Sequence, residues 1–120
     1  MNITSNHPIL QVNDIRESIR FYCEVLGFEE DFIYGEPPYY AGIRRNDSVF
    51  HLCSSEVNVV RLGLGSVYVI CDEVDEYYKE VIEKGAQITN ALETFPYGLR
   101  DFQLKDLDGN LICFGCPVDR

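Results

Sequence analysis

The chain has 120 residues, 46% of them hydrophobic and 25% charged, which supplies one core but not two and is unlike the composition of a disordered segment. A formal net charge of −10 lacks the basic surface a nucleic-acid binder needs and favours cationic partners, or solubility alone. No apolar run approaches the roughly 20 residues that cross a bilayer, and the polar stretch Met1–His7 has no secretory h-region, so neither nucleic acid nor membrane is an expected partner and the expected compartment is the cytoplasm.

Taken in chain order, His7–Val12 reads as a strand. Asp14 follows as a helix N-cap with Glu17 as its capping-box partner, and Ile15, Ile19, Tyr22 and Leu26 recur at helical spacing until Gly27 stops the helix. Phe28–Tyr34 reads as a strand ended by Gly35-Glu36-Pro37-Pro38. Tyr39–Arg45 and Val49–Ser54 then form a hairpin across Asn46-Asp47. After the linker 55–65 the plan repeats. Ser66–Cys71 is a strand, Asp72 caps a helix carried by Val74, Tyr78 and Val81, and Gly85 ends it. Ala86–Thr94 is a further strand, and Arg100–Lys105 pairs with Leu111–Gly115 across a turn containing Asp108-Gly109. Asp14 and Asp72 are 58 positions apart, as are Gly27 and Gly85, the spacing expected of a duplicated supersecondary unit. The expected architecture is therefore α+β. Two βαβββ modules, about 7–54 and about 66–117, form one domain with a cupped mixed sheet and helices on its convex face.

The five cysteines are expected to be free thiols inside apolar segments. Cys113 and Cys116 form a C-x-x-C, but on a strand they point to opposite faces, which argues against a redox pair. With two histidines, no nucleophilic triad is legible, and Gly63-Leu64-Gly65 lacks the third glycine of a dinucleotide turn. No catalytic residue is assigned. Tyrosines are the informative residues. Tyr34, Tyr39, Tyr40 and Tyr97 flank loops, and Tyr68 shares the parity of Ser66, so it faces the cup. Aromatic faces beside Glu36, Asp47 or Asp101 would suit flat or cationic ligands; covering a sheet edge or a dimer seam is the alternative use.

Three stretches resemble the glyoxalase, or vicinal-oxygen-chelate, superfamily, and within it the bleomycin-resistance branch. They are Pro8-Ile9-Leu10-Gln11-Val12-Asn13-Asp14, then Phe21-Tyr22 followed by Leu26-Gly27-Phe28, and the run from Phe95 through Gly98, Arg100 and Phe102 to Asp106-Leu107-Asp108-Gly109-Asn110. The resemblance implies a homodimer whose cups are completed by two chains, often by exchange of the first strand, with Pro8 as a suitable hinge. It places the superfamily's metal-ligand positions at His7, His51, Ser66 and Cys113. Serine is a poor ligand and no carboxylate remains, so the expected function is metal-independent binding of a small, cationic or aromatic molecule in a dimer-interface cleft, with no cofactor. The ligand-binding residues so expected are His7, Tyr34, Tyr40, His51, Ser66, Tyr68, Tyr97, Arg100 and Cys113. The alternative is a metal-dependent glyoxalase- or dioxygenase-type enzyme holding a divalent metal such as zinc on His7, His51 and Cys113. For Arg100, clamping an anionic ligand group competes with simple pairing to a neighbouring carboxylate.

Overall fold

A computed structural model describes residues 1–56 and 59–118. The first module comprises β1 (Ile9–Val12), α1 (Ile15–Glu24), β2 (Glu29–Tyr34), β3 (Tyr40–Arg45) and β4 (Ser48–Ser54). A short 3-10 turn, Val59–Arg61, lies in the linker. The second module comprises β5 (Ser66–Ile70), α2 (Val74–Glu83), β6 (Gln87–Thr94), β7 (Leu99–Lys105) and β8 (Leu111–Pro117). Each module makes its own four-stranded mixed sheet, ordered β1-β4-β3-β2 and β5-β8-β7-β6, with the first strand parallel to the last. The expected cup is thus divided between two sheets, and β1 and β5 are both edge strands.

Period-two alternation sorts each strand into two faces. Leu10, Val12, Ala41, Ile43, Phe50 and Leu52 turn toward the helices in the first module, as Phe102, Leu104, Ile112 and Phe114 do in the second, and all are buried in one continuous core. Tyr22, fully buried on α1, meets Phe28 and Phe50 edge-on. Among the described residues no helix covers the opposite sheet faces.

The helices differ at their ends. Asp14 caps α1 as expected, its Oδ1 accepting the Glu17 N–H at 3.0 Å, a bond of the kind that contributes ~1 kcal/mol. The Glu17 carboxylate turns to Arg20 instead, at 2.7 Å, so the reciprocal half of the capping box is not made. In α2 the expected cap Asp72 is displaced by one residue. Glu73 is the N-cap, in the left-handed region at φ 46°, with no side-chain cap bond. Buried positions Ile15, Ser18, Ile19 and Tyr22 therefore correspond to Val74, Tyr77, Tyr78 and Val81, a shift of 59. The glycines keep a shift of 58 because α1 closes more loosely. The Phe28 N–H returns to the Tyr22 carbonyl at 2.9 Å, whereas α2 ends in a Schellman pair, Gly85 N–H to Ile82 and Ala86 N–H to Val81.

The modules are joined by the β7–β8 turn. Asp106, 4% exposed, accepts the Tyr22 hydroxyl at 2.8 Å and the backbone N–H groups of Asp108 and Asn110 at 2.9 Å. The Asn110 amide donates to the Gln11 carbonyl at 3.0 Å, and the Asn13 N–H donates to Asp108 at 3.1 Å. Gly109 supplies the positive φ of 98° that the turn requires.

Candidate binding site on the uncovered sheet faces

On the first sheet, the uncovered face carries a ring cluster. His7 and His51 stack at 5.2 Å between centroids and 18° between planes. Phe32 meets His51 edge-on at 5.4 Å and stacks on Tyr40 at 6.2 Å. The Tyr40 hydroxyl and His51 Nδ1 are 3.0 Å apart. Gly42 permits this packing, because a Cβ there would run into the Phe32 ring. Desolvation, and then the neighbouring His7, hold the His51 imidazole below its usual pKa. His7 is already engaged, with Nδ1 3.2 Å from the Val49 carbonyl and Nε2 3.1 Å from the Ser5 hydroxyl. Tyr34 stands on outer strand β2, largely exposed, edge-on to Tyr39 at 5.6 Å.

The second sheet presents a different chemistry. Asp101, 6% exposed, accepts the hydroxyls of both Tyr68 and Tyr97 on one carboxylate oxygen, each at 2.7 Å. Tyr97 stacks on Phe95 at 5.2 Å with planes 2° apart. The Tyr68 ring crosses Gly115, where a Cβ would collide with it. The hydrogen bond to Asp101 pushes the Tyr97 phenol up to about 12, and burial followed by the same bond raises that of Tyr68. Cys113 shares this face; desolvation, with Asp101 next, pushes its thiol up to about 11. Ser66 is at the exposed start of β5, on the parity of Tyr68.

The expected residues thus fall into two groups: His7, Tyr40 and His51 on one sheet, with Tyr34 at its edge, and Ser66, Tyr68, Tyr97 and Cys113 on the other. Arg100 joins neither. It lies on the helix side of β7, where its guanidinium clasps Asp75 of α2 at 2.9 and 3.0 Å and reaches Thr94 at 3.1 Å. The C-x-x-C is split as the strand period requires, with Cys113 beside Asp101 and Cys116 packed against the core side. Phe32 and Phe95 were absent from the expected set. Phe32 shares the parity of Tyr34, and Phe95 is two residues from Tyr97, so alternation was the signal available for both.

The two histidines and Cys113 do not gather within one chain. Among the described residues no three His, Cys, Asp or Glu side chains are grouped so as to hold a metal ion. The two positions that the resemblance assigns to ligands on the second sheet hold a serine and a thiol whose pKa is raised, a poor match to a divalent ion, and the neighbouring Asp101 carboxylate is already held by two phenols. Among the described residues no helix is long and apolar enough to cross a membrane.

Comparison with known proteins agrees with this layout. Residues 4–114 match the Glyoxalase/Bleomycin resistance protein/Dioxygenase superfamily. A bleomycin resistance protein of Geobacillus stearothermophilus is 29% identical over 125 aligned residues, covering 89% of this chain and 92% of that protein. The bleomycin-binding protein of bleomycin-producing Streptomyces verticillus, solved with copper(II)-bleomycin, superposes with a TM-score of 0.80 at 23% identity, covering 99% of each chain. A glyoxalase-related enzyme from Clostridium phytofermentans gives the same TM-score of 0.80 at 20% identity and 98% coverage of each chain.

Proposed function

The chain belongs to the glyoxalase/bleomycin resistance protein/dioxygenase superfamily, and we propose that it binds and sequesters a small cationic, aromatic molecule without a metal, in a cleft completed by a second copy of the chain. The observation that carries this reading is Asp101. A carboxylate 6% exposed, held by two phenols and flanked by the parallel Phe95–Tyr97 pair, offers one anionic point among aromatic faces. A planar cation matches both features, by charge and by ring quadrupole. The first sheet offers the complementary part, a wall of four rings at His7, Phe32, Tyr40 and His51.

A second copy is favoured because these faces leave large apolar side chains open. Tyr34 on the first sheet, and Tyr68, Ile70 and Tyr97 on the second module, are all between 43% and 64% exposed, and large apolar side chains left open suit an interaction surface. β1 pairs with β4 of its own chain here, with the Pro8 carbonyl accepting the His51 N–H at 2.9 Å, and strand exchange would substitute the partner's β1 in the same ladder.

The test is a titration by calorimetry and tyrosine fluorescence, using metal-free bleomycin, copper(II)-bleomycin and the planar cation ethidium. Saturable binding to the wild type, at least tenfold weaker in Asp101→Asn, supports the reading; flat titrations with all three compounds sink it. Sedimentation showing only monomer at micromolar concentration removes the second copy. Metal retained through gel filtration after incubation with zinc, and lost in His7→Ala or His51→Ala, removes metal independence.

A further inference from the structure

On the uncovered face of the second sheet the internal hydrogen bonds spend donors and leave acceptors. Tyr68 stands on β5 and Asp101 on β7, with β8 between them. Gly115 is the β8 residue paired with Asp101. With no side chain there, the Tyr68 ring lies across β8 and its hydroxyl reaches the carboxylate. The Tyr97 hydroxyl donates to the same oxygen, Oδ2. Both phenolic protons are thereby committed. No described residue donates to the other oxygen, Oδ1. Among the described residues no fully buried side-chain oxygen lacks a partner, so Oδ1 is reachable from solvent. Nor does any described Lys, Arg or His pair with Asp101. A carboxylate 6% exposed, with one oxygen bare and no counter-charge, calls for a cation that can hydrogen-bond.

Gln103 repeats the pattern. It is the next residue of β7 on the same face, about 7 Å along the strand, and it is half-buried. Its Nε2 donates to Thr89 Oγ1 and to Asn90 Oδ1, both at 3.0 Å, which spends both amide protons. No described residue donates to its Oε1. Cys113, paired with Gln103 across the β7–β8 ladder, stays a neutral thiol, since desolvation and then Asp101 push its pKa up to about 11. Glu93, the register partner of Asp101 on β6, is exposed and keeps the rim acidic. The face therefore presents two open acceptors in a row, Asp101 Oδ1 charged and Gln103 Oε1 neutral.

We propose that β7 takes the cationic group of the ligand through two N–H donors, one to each of these oxygens, so that the ligand class is an amidinium, a guanidinium or an aminated aromatic cation, and not a quaternary one. This rests on the binding reading above and narrows it. Aromatic faces accept any planar cation, whereas a bare oxygen rewards only a cation that brings a proton to share. A fully alkylated cation would set methyl groups against both oxygens and desolvate them without a partner, which a site built on hydrogen bonds penalises. Asp101 supplies the charge, and Gln103 sets the discrimination between the two kinds of cation.

The probes are proflavine, a planar acridine cation with N–H groups along one edge, and its fully N-methylated analogue, which has the same ring system and charge and no N–H. Both are titrated into the full chain by dye fluorescence. The wild type should prefer proflavine about tenfold or more, the worth of one to two hydrogen bonds at a charged site. Gln103→Met keeps the length of the side chain and removes the acceptor. It should cut that preference about threefold or more and leave the affinity for the analogue unchanged; a general disturbance of the face would weaken both dyes alike. Equal affinity for the two dyes in the wild type overturns the proposal, as does a preference that Gln103→Met leaves intact. If both dyes then still bind, and both weaken in Asp101→Asn, the broader binding reading survives without this narrowing. If neither dye binds, this subsite falls, and the bleomycin and ethidium titrations decide the broader reading.

Discussion

The closed and open junctions between the modules are built from equivalent positions and differ by three residues of turn. In the closed one, a buried carboxylate at Asp106 organises a five-residue loop, and the loop carries an amide to the neighbouring strand. In the open one, the equivalent ground is held by Arg45, which bridges to α1's exit and to Tyr77 and leaves space beside it. The Tyr77 hydroxyl, donating to the same Leu26 carbonyl at 2.6 Å, does on this side what Tyr22 does on the other. Duplication supplied two junctions. Loop length decided which became structure and which became a cleft.

The largest effect should come from the closed side. Asp106→Ala removes the acceptor of one buried phenol, two backbone N–H groups and the Asn110 amide. Leaving buried donors unpaired costs about 1–3 kcal/mol each, so a loss of at least about 3 kcal/mol is expected. Arg45→Ala should cost about 1–2 kcal/mol, one hydrogen bond and one cation–π contact. Urea unfolding of the two variants decides the comparison; equal losses would mean that the open junction bears as much load as the closed one.

The two uncovered sheet faces can be compared in the same way. On the second, Asp101 raises the Tyr97 phenol to about 12. A phenol whose folded pKa lies above its unfolded value of about 10 stabilises the fold below that pH, and the contribution is lost as pH rises from 10 through 12. Asp101→Asn should return Tyr97 toward 10, an observable change in the phenolate absorbance titration. An unmoved titration would show that the Tyr97–Asp101 bond is not made in solution, and the anionic point of the proposed site would lose half its frame.

Much of the fold was legible in sequence because its signals are local. Asp14, Gly27, Gly85, Asn46-Asp47 and Asp108-Gly109 each act through backbone conformation within a few residues, and the structure puts an element end or a turn at every one. Asp72 misled because Glu73 takes the left-handed cap conformation, which nothing in the identity of a glutamate announces. Parity put Tyr68 on the face of Ser66, and the resemblance supplied Cys113, which the β5–β8 register sets opposite Tyr68. For Arg100 the sequence left ligand clamping and carboxylate pairing open, and the structure shows it paired with Asp75. What the sequence did not carry is which distant strands share a face. The ring cluster at His51 depends on β1, β2, β3 and β4 coming together, and no spacing along the chain encodes their order.

Glu73 gives a test of the inserted residue in the second module. A left-handed conformation costs a non-glycine residue roughly 1–2 kcal/mol. Glu73→Gly relieves this but adds backbone freedom to the unfolded chain, so a net gain of about 1 kcal/mol or less is expected in thermal or urea unfolding. The corresponding change at α1, Asp14→Gly, should do the opposite by a few tenths of a kcal/mol, because it removes a side-chain cap. Two glycines at equivalent caps would then have opposite signs; a loss at both would show that Glu73 is not under strain.

The smallest effect belongs to Arg100. Its partner Asp75 is held below the ordinary carboxylate range, first by the hydrogen bond from Arg100. A carboxyl with a depressed folded pKa stabilises the protein above its unfolded value and loses that contribution as pH falls through the folded one. Side-chain exposure of 33% for Arg100 and 51% for Asp75 leaves the pair screened by solvent, so its contribution is small and salt-sensitive. Arg100→Gln should therefore lower stability slightly at neutral pH, and in NMR titration the Asp75 carboxyl should move up toward 3.8. Ligand affinity should not change, since the guanidinium is on the helix side of β7, away from Asp101. A tenfold loss of affinity in Arg100→Gln would move the binding surface to the α2 side of the second sheet and reverse the assignment of its two faces.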